Sequence, residues 1–228
     1  MFLQHYNTFL EVMKLPRARL YFSQHIDPVD IKATYRAYTR PHPRFKIIRH
    51  KTIGAALIDL ANFPTGEAYL EHIKGKNQGG YHAKRARNRG YVVRAIDRNA
   101  HVDDIHEINT SLDVRQGRKM DDKYLEKQER FTNQQHFHYW GVFNPQGKLV
   151  AYATLGIYGN FASFSQMMGI RNNDGIMHLL LSEAVCRLIQ AGKVRYVMYD
   201  TFFGAQQGLR NFKTVLGFRP YRASYTLQ

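Results

Sequence analysis

The chain has 228 residues, 44% hydrophobic and 22% charged, which is the balance of a folded protein with one sizeable core and excludes a disordered chain. Against 18 Asp and Glu stand 33 Lys and Arg, and the net charge of +15 favours a polyanionic partner: nucleic acid, an acidic membrane surface or a multiply phosphorylated cosubstrate. The single cysteine, Cys186, excludes an internal disulfide, no run approaches the roughly 18 apolar residues of a spanning helix, and residues 1–14 carry no basic-then-apolar leader, so a cytoplasmic protein is expected.

Residues 1–50 are rich in aromatics and arginine, with a short helix predicted over Val29–Tyr38 ahead of Pro41-His42-Pro43. Ile53–Leu60 reads as a buried strand ended by Asn62-Phe63-Pro64, and a helix is expected from Thr65 towards Gly90. Its second half carries the densest basic run of the chain, beside Tyr81 and Tyr91. Cations for phosphates and rings for stacking make Lys84, Arg85, Arg87 and Arg89 the candidate RNA contacts, with a solvated helix face as the alternative.

From Tyr91 the pattern becomes regular. Tyr91–Ile96 is a strand, and Val102–Val114 a helix with Val102, Ile105, Ile108 and Leu112 on one face; a second helix is expected over Asp121–Phe131. Phe137–Phe143 and Lys148–Ile157 are strands joined by the turn Asn144-Pro145-Gln146-Gly147. There follow a strand at Ala162–Gly169, a helix at Asp174–Ala191 closed by Gly192, a strand at Val194–Thr201, a helix at Gly208–Leu216 and a last strand at Phe218–Leu227.

Strand, helix, strand here spells a parallel βαβ unit, whose ligand sits beyond the strand ends against the helix N-terminus. Asp174 is expected to cap that helix. Asp200, ending its strand, is the candidate to orient or deprotonate an amine, with a cap on the next turn as the alternative. Lys213 is the candidate to neutralise a leaving oxygen or a phosphate, against a plain surface lysine. His136 and His138 share one strand face without a third ligand nearby, so both are taken as structural and no metal is expected.

From Tyr91 to Gln228 the order of strand, two helices, a three-strand meander, helix, strand, helix and strand resembles the GNAT acyltransferase fold. Arg171-Asn172-Asn173-Asp174-Gly175-Ile176-Met177 stands where GNAT enzymes carry Gln/Arg-x-x-Gly-x-Gly/Ala, the backbone cradle for the pyrophosphate of coenzyme A. Tyr199-Asp200, followed by Gly208-Leu209-Arg210-Asn211-Phe212-Lys213 and Gly217, is similar to the Fem family, which moves amino acids from aminoacyl-tRNA on the same fold. A basic segment like Lys84-Arg85-Ala86-Arg87 precedes the transferase domain in that family, and many acetyltransferases have a tyrosine where Lys213 stands.

The resemblance implies an α/β, GNAT-like mixed sheet with flanking helices at residues 91–228, preceded by an N-terminal extension at 1–90 that resembles a remnant first half. It further implies transfer of an acyl or aminoacyl group to a small-molecule or peptide amine, with Asp200 and Lys213 as catalytic residues. The donor would lie against Gln166, Met168, Arg171, Asn173, Gly175 and Phe212. No tightly bound cofactor is implied; the cosubstrate is aminoacyl-tRNA, weakly favoured, or acyl-CoA. Outside the enzymes stands a non-catalytic GNAT-like module that binds RNA or an anionic surface.

Overall fold

Short apolar runs rich in β-branched and aromatic residues become strands, and longer runs with apolar residues at helical spacing become helices. The computed structural model describes residues 12–43, 46, 48–115 and 118–228. Its first elements are β1 (Arg17–Phe22), α1 (Pro28–Thr39), β2 (Ile53–Asp59), α2 (Gly66–His72), α3 (Gly79–Asn88), β3 (Val92–Ala95) and α4 (Val102–Thr110). A ribbon of β4 (Val114–Arg115) and β5 (Arg118–Lys119) and the single turn α5 (Asp122–Leu125) lead to β6 (Phe137–Phe143), β7 (Leu149–Ile157) and β8 (Phe161–Gly169). The chain closes with α6 (Ile176–Ala191), β9 (Tyr196–Thr201), α7 (Gln207–Val215) and β10 (Arg219–Leu227).

One eight-stranded mixed sheet, ordered β1-β10-β2-β9-β8-β7-β6-β3, carries the fold. Its pairs are antiparallel except β1 with β10 and β8 with β9. Period-two alternation sends β2 residues to both faces: Ala56 and Ile58 join the cluster under α6, while Ala55 and Leu57 join the one under α1. On the α6 face, Leu180, Leu181 and Ala184 pack against Ala151, Ala153 and Val197. On the other, Phe22 meets Tyr38 and Phe161 edge-on, with ring centroids 5.5 and 5.0 Å apart. Ile105 and Ile108 of α4 share a third cluster with Leu149 and Tyr152.

Local signals set the helix ends. Asp27 caps α1 by accepting from the Val29 and Asp30 N–H groups, with Pro28 in the first turn, and Thr65 caps α2 by accepting from Ala68. Gly192 closes α6 in a left-handed conformation.

Three sequence expectations change. The helix from Thr65 to Gly90 is two helices, because Gly75 and Asn77 turn left-handed between them. A side chain at Gly79 would also collide with the Val215 carbonyl, 2.6 Å from the Cβ it lacks. The helix expected over Asp121–Phe131 stops after one turn: Arg98 holds the Thr132 carbonyl and Asn99 accepts from the Phe131 N–H, so this segment is committed to side chains instead of a helical ladder. Finally, β1 forms where no element was expected, burying Ala18, Leu20 and Phe22 between exposed arginines. The residues before Tyr91 thus supply two strands of the sheet, and β2 lies between β9 and β10.

Tyr69, fully buried, ties α2 to the end of α7 by donating its hydroxyl proton to the Leu216 carbonyl at 3.0 Å. Tyr69→Phe strands that buried carbonyl and is expected to lower stability by about 1–2 kcal/mol in urea unfolding. An unchanged midpoint would show that the clamp carries no weight.

Candidate active site

The site begins where two strands stop pairing. Parallel β8 and β9 are in register only through Phe161–Tyr196, Ala162–Val197 and Ser163–Met198, yet β8 continues to Gly169 and β9 to Thr201. At the divergence β8 bulges: Phe164 faces Leu155 and Gln166 faces Thr154, so Ser165 has no opposite residue on β7. An extra residue of this kind bends its strand and strengthens the local twist. Beyond Ser163, the β9-facing edge of β8 has no strand partner.

Two cavities meet at this split. The larger, about 770 Å³, is lined by Gln166, Met168, Asp200 and Lys213 among others. The smaller, about 400 Å³, opens at the N-terminus of α6 and is lined by Arg85, Asn173, Gly175, His178 and Phe212 among others. Tyr199 and Leu209 line both.

Lys213 is not a surface lysine. It is 0% exposed, its Nζ donates to the Thr201 carbonyl at 2.7 Å, and it lies 4.9 Å from the centre of the Tyr199 ring. Burial pulls its pKa from 10.5 down to about 8, with Asp200 raising it and Lys51 lowering it further. The residue is therefore mostly protonated at neutral pH.

Asp200 ends β9 with φ +54°, and Lys51, across from it, has φ +58°. Their side chains meet at 3.3 Å, Nζ to Oδ1. The carboxylate thus serves an ion pair at the cavity and not a cap on the next turn. Burial works against the Lys51 charge, but Tyr38 and Asp200 outweigh it and hold its pKa above the ordinary lysine value. Two non-glycine residues in left-handed backbone facing each other at a cavity wall mark the place as one the fold over-determines.

At the smaller cavity the expected cap is absent. Gly175, φ +89°, occupies the N-cap of α6, and no side chain caps the helix. Asp174 instead accepts from the Tyr91 hydroxyl at 2.7 Å and pairs with Arg89. The physical reason is steric: α3 crosses so close that the His82 carbonyl lies 2.3 Å from where a Cβ at Gly175 would be, so only glycine fits the cap position. The first-turn N–H groups of α6 thus have no side-chain acceptor among the described residues.

The four candidate RNA contacts, three on α3 and Arg89 at its C-cap, divide. Lys84 is exposed, Arg85 donates to the Asn173 carbonyl and lines the cavity, Arg87 pairs with Glu183 at 2.6 Å, and Arg89 is held by Asp174. Of the expected donor contacts, Gln166 and Met168 line the large cavity and Asn173, Gly175 and Phe212 the small one, while Arg171 is exposed and lines neither.

Sequence reasoning missed several lining residues. The His82 and His178 rings tilt together with centroids 4.6 Å apart, and His178 meets the expected Phe212 edge-on at 4.7 Å. Burial, then His82 and Arg85, push His178 down to about 4, so it is neutral. His82 was hidden in a basic run and His178 in an apolar helix. Lys51 comes from a turn and Arg98 from the short 3-10 helix Arg98–His101, and neither had a local signal. His136 and His138 separate: His136 Nε2 lies 2.9 Å from Asp30 Oδ2, and His138 stacks on Trp140. Among the described residues no group of three or more His, Cys, Asp or Glu is placed to hold a metal, and no helix is long and apolar enough to cross a membrane.

No protein-family model matches the chain, and no curated protein matches it in sequence. Solved structures do match. FemX is 10% identical over 74% of this chain and 59% of its own, with a TM-score of 0.52. The C-terminal domain of a putative lysylphosphatidylglycerol synthetase from Agrobacterium fabrum is 16% identical over 73% of this chain and 57% of its own, TM-score 0.49. A tandem GNAT protein from the clavulanic acid biosynthesis pathway is 15% identical over 86% and 55%, TM-score 0.46. The chain spans less than two thirds of each of these proteins. It has the GNAT-like fold, and the Fem branch is among its structural neighbours.

The buried charge has a measurable cost. Because the folded-state pKa of Lys213 lies below its unfolded value, the folded protein holds this proton less tightly; the penalty is complete below pH about 8 and fades as pH rises towards 10.5. After allowance for the lost bond to the Thr201 carbonyl, Lys213→Met is expected to raise stability at pH 7 by roughly 2 kcal/mol. A methionine variant less stable than the parent at pH 7 would show that the charge is not under strain.

Proposed function

We propose that the chain transfers an activated acyl group to an amine, with an aminoacyl ester on tRNA favoured as donor over an acyl thioester on coenzyme A. The observation that carries the reading is Lys213, a buried cation where two cavities meet, one ending at an uncapped helix N-terminus and the other at a carboxylate. Each donor is already activated, so the amine nitrogen attacks the acyl carbon directly and no nucleophilic side chain is required. The new C–N bond forms as the bond from that carbon to the ester oxygen or thioester sulfur breaks.

Three tasks remain for the protein: removing the ammonium proton, holding the oxyanion and stabilising the leaving group. Asp200, exposed to the large cavity, suits the first. Backbone groups on the unpaired edge of β8 suit the second. Lys213 suits the third: a ribose oxygen leaves as a stronger base than a thiolate, so it gains more from a buried cation that pairs with it and passes it a proton, while the amine's proton goes to Asp200. The likeness of Tyr199-Asp200 and Phe212-Lys213 to the Fem pattern supports the same choice. Contact with tRNA phosphates would fall to Lys84 and Arg85, since Arg87 and Arg89 are paired within the chain.

One observation favours coenzyme A as a second reading: Asp174 is turned to Tyr91 and Arg89, so the N–H groups opening α6 are free to meet a pyrophosphate.

Charged tRNA, and not acetyl-CoA, is expected to raise the melting temperature. Lys213→Met is expected to slow aminoacyl transfer by about a hundredfold or more, and Lys213→Tyr not to restore it. Since the protonated form is needed, turnover should fall as pH rises through about 8. Acetyl-CoA activity gained by the tyrosine variant, full activity in the methionine variant, or a rate that climbs through pH 8 would each sink this assignment.

A further inference from the structure

We propose that the large cavity selects amines that carry a second, anionic group, a carboxylate or a phosphate, and that Arg98 is the anchor for that group. Calling the amine an acceptor rests on the transferase reading; the selection itself is an equilibrium property of the cavity. Five of its lining residues are cationic and two are carboxylates. Lys51 and Lys213 sit with Asp200 at the β9 end. Arg98, Lys119 and Lys123 line the rest with Asp121, leaving an excess of positive charge away from the carboxylate suited to the amine.

Arg98 is built as an anchor. Its guanidinium lies 4.1 Å from the centre of the Tyr139 ring and 4.8 Å from that of Phe131. Its Nε and one terminal nitrogen donate to Asn133 Oδ1 and the Thr132 carbonyl, which fixes the plane and leaves the donors of the other terminal nitrogen. A half-buried, pre-oriented guanidinium is the group best suited to a planar anion, because little rotamer entropy is lost on binding.

The sheet also sets a length. Tyr139 is on β6 and Asp200 on β9, three strands away in the order β9-β8-β7-β6. At about 4.8 Å per strand, amine and anion would be separated by roughly 14 Å or somewhat more, because β8 and β9 have parted before Asp200. An extended chain of about four residues covers that distance, so tetrapeptide-sized acceptors fit and single amino acids are too short.

The test is calorimetric titration of the full chain with two matched pairs: tetraglycine against its C-terminal amide, and ω-aminooctyl phosphate against ω-aminooctanol. The anionic member of at least one pair is expected to bind about tenfold more tightly, and which pair responds tells carboxylate from phosphate. That preference should shrink severalfold in Arg98→Met and in the Lys119→Ser/Lys123→Ser double variant, whose two exposed lysines support no other element. Equal binding within both pairs, no binding by any probe at about 10 mM, or a preference untouched in both variants overturns the proposal. If the preference holds while no donor is ever consumed, the transferase reading fails and the anion selection stands.

Discussion

The structure depends on a parallel strand pair that lets go after three residues. Hydrogen bonds between β8 and β9 hold through Ser163 and Met198, and the bulge at Ser165 then turns β8 away from its neighbour. An open wedge in the middle of a sheet exposes backbone groups that must be satisfied. Here β2 pairs the far side of β9, and α7 lays Phe212 and Lys213 against Tyr199 of β9 around the opening. Cavities therefore form at the centre of the sheet, where both faces can reach one point.

Charge placement follows from that wedge. The protein carries +15, yet much of the charge near the site is assigned within the chain: Arg87 to Glu183, Arg89 to Asp174, Lys51 to Asp200. Lys213, by contrast, forms no ion pair among the described residues: its Nζ meets the Thr201 carbonyl and the faces of Tyr199 and Phe202, while Asp200 and Lys51 act on its charge. On the proposed reading, a cation so poorly solvated is held ready for a charge that arrives with substrate; its lowered pKa is the trace of burial. Arg98 on the far side of the large cavity shows the same principle in milder form, a guanidinium held flat between rings.

Close approach of backbones shapes the donor side. Gly175 lets α3 lie directly over the start of α6, and Gly79 lets the same helix touch the end of α7. Without those two hydrogens in place of side chains, α3 would stand off and neither Arg85 nor His82 would reach the small cavity. The basic helix is thus a wall of the site as well as a charged surface.

Apart from Asp121–Phe131, sequence alone determined the main strands and helices from Tyr91 onward and their GNAT-like order, and it marked Asp200, Lys213 and Gly175 as candidates, because each stands in a segment with local periodicity or a motif of fixed spacing. It misjudged Asp174, since a capping aspartate and one drawn off by Tyr91 and Arg89 have the same local sequence. It also ran one helix through Gly75, where positive φ at Gly75 and Asn77 breaks the ladder, and another through Phe131, where Asn99, distant in sequence, takes the backbone N–H. Only the tertiary structure set β2 between β9 and β10, paired Lys51 with Asp200, brought His82 against His178 and buried Lys213. Local spacing fixes what a segment becomes; which segments meet is decided by burial of faces that come together only when the whole sheet forms.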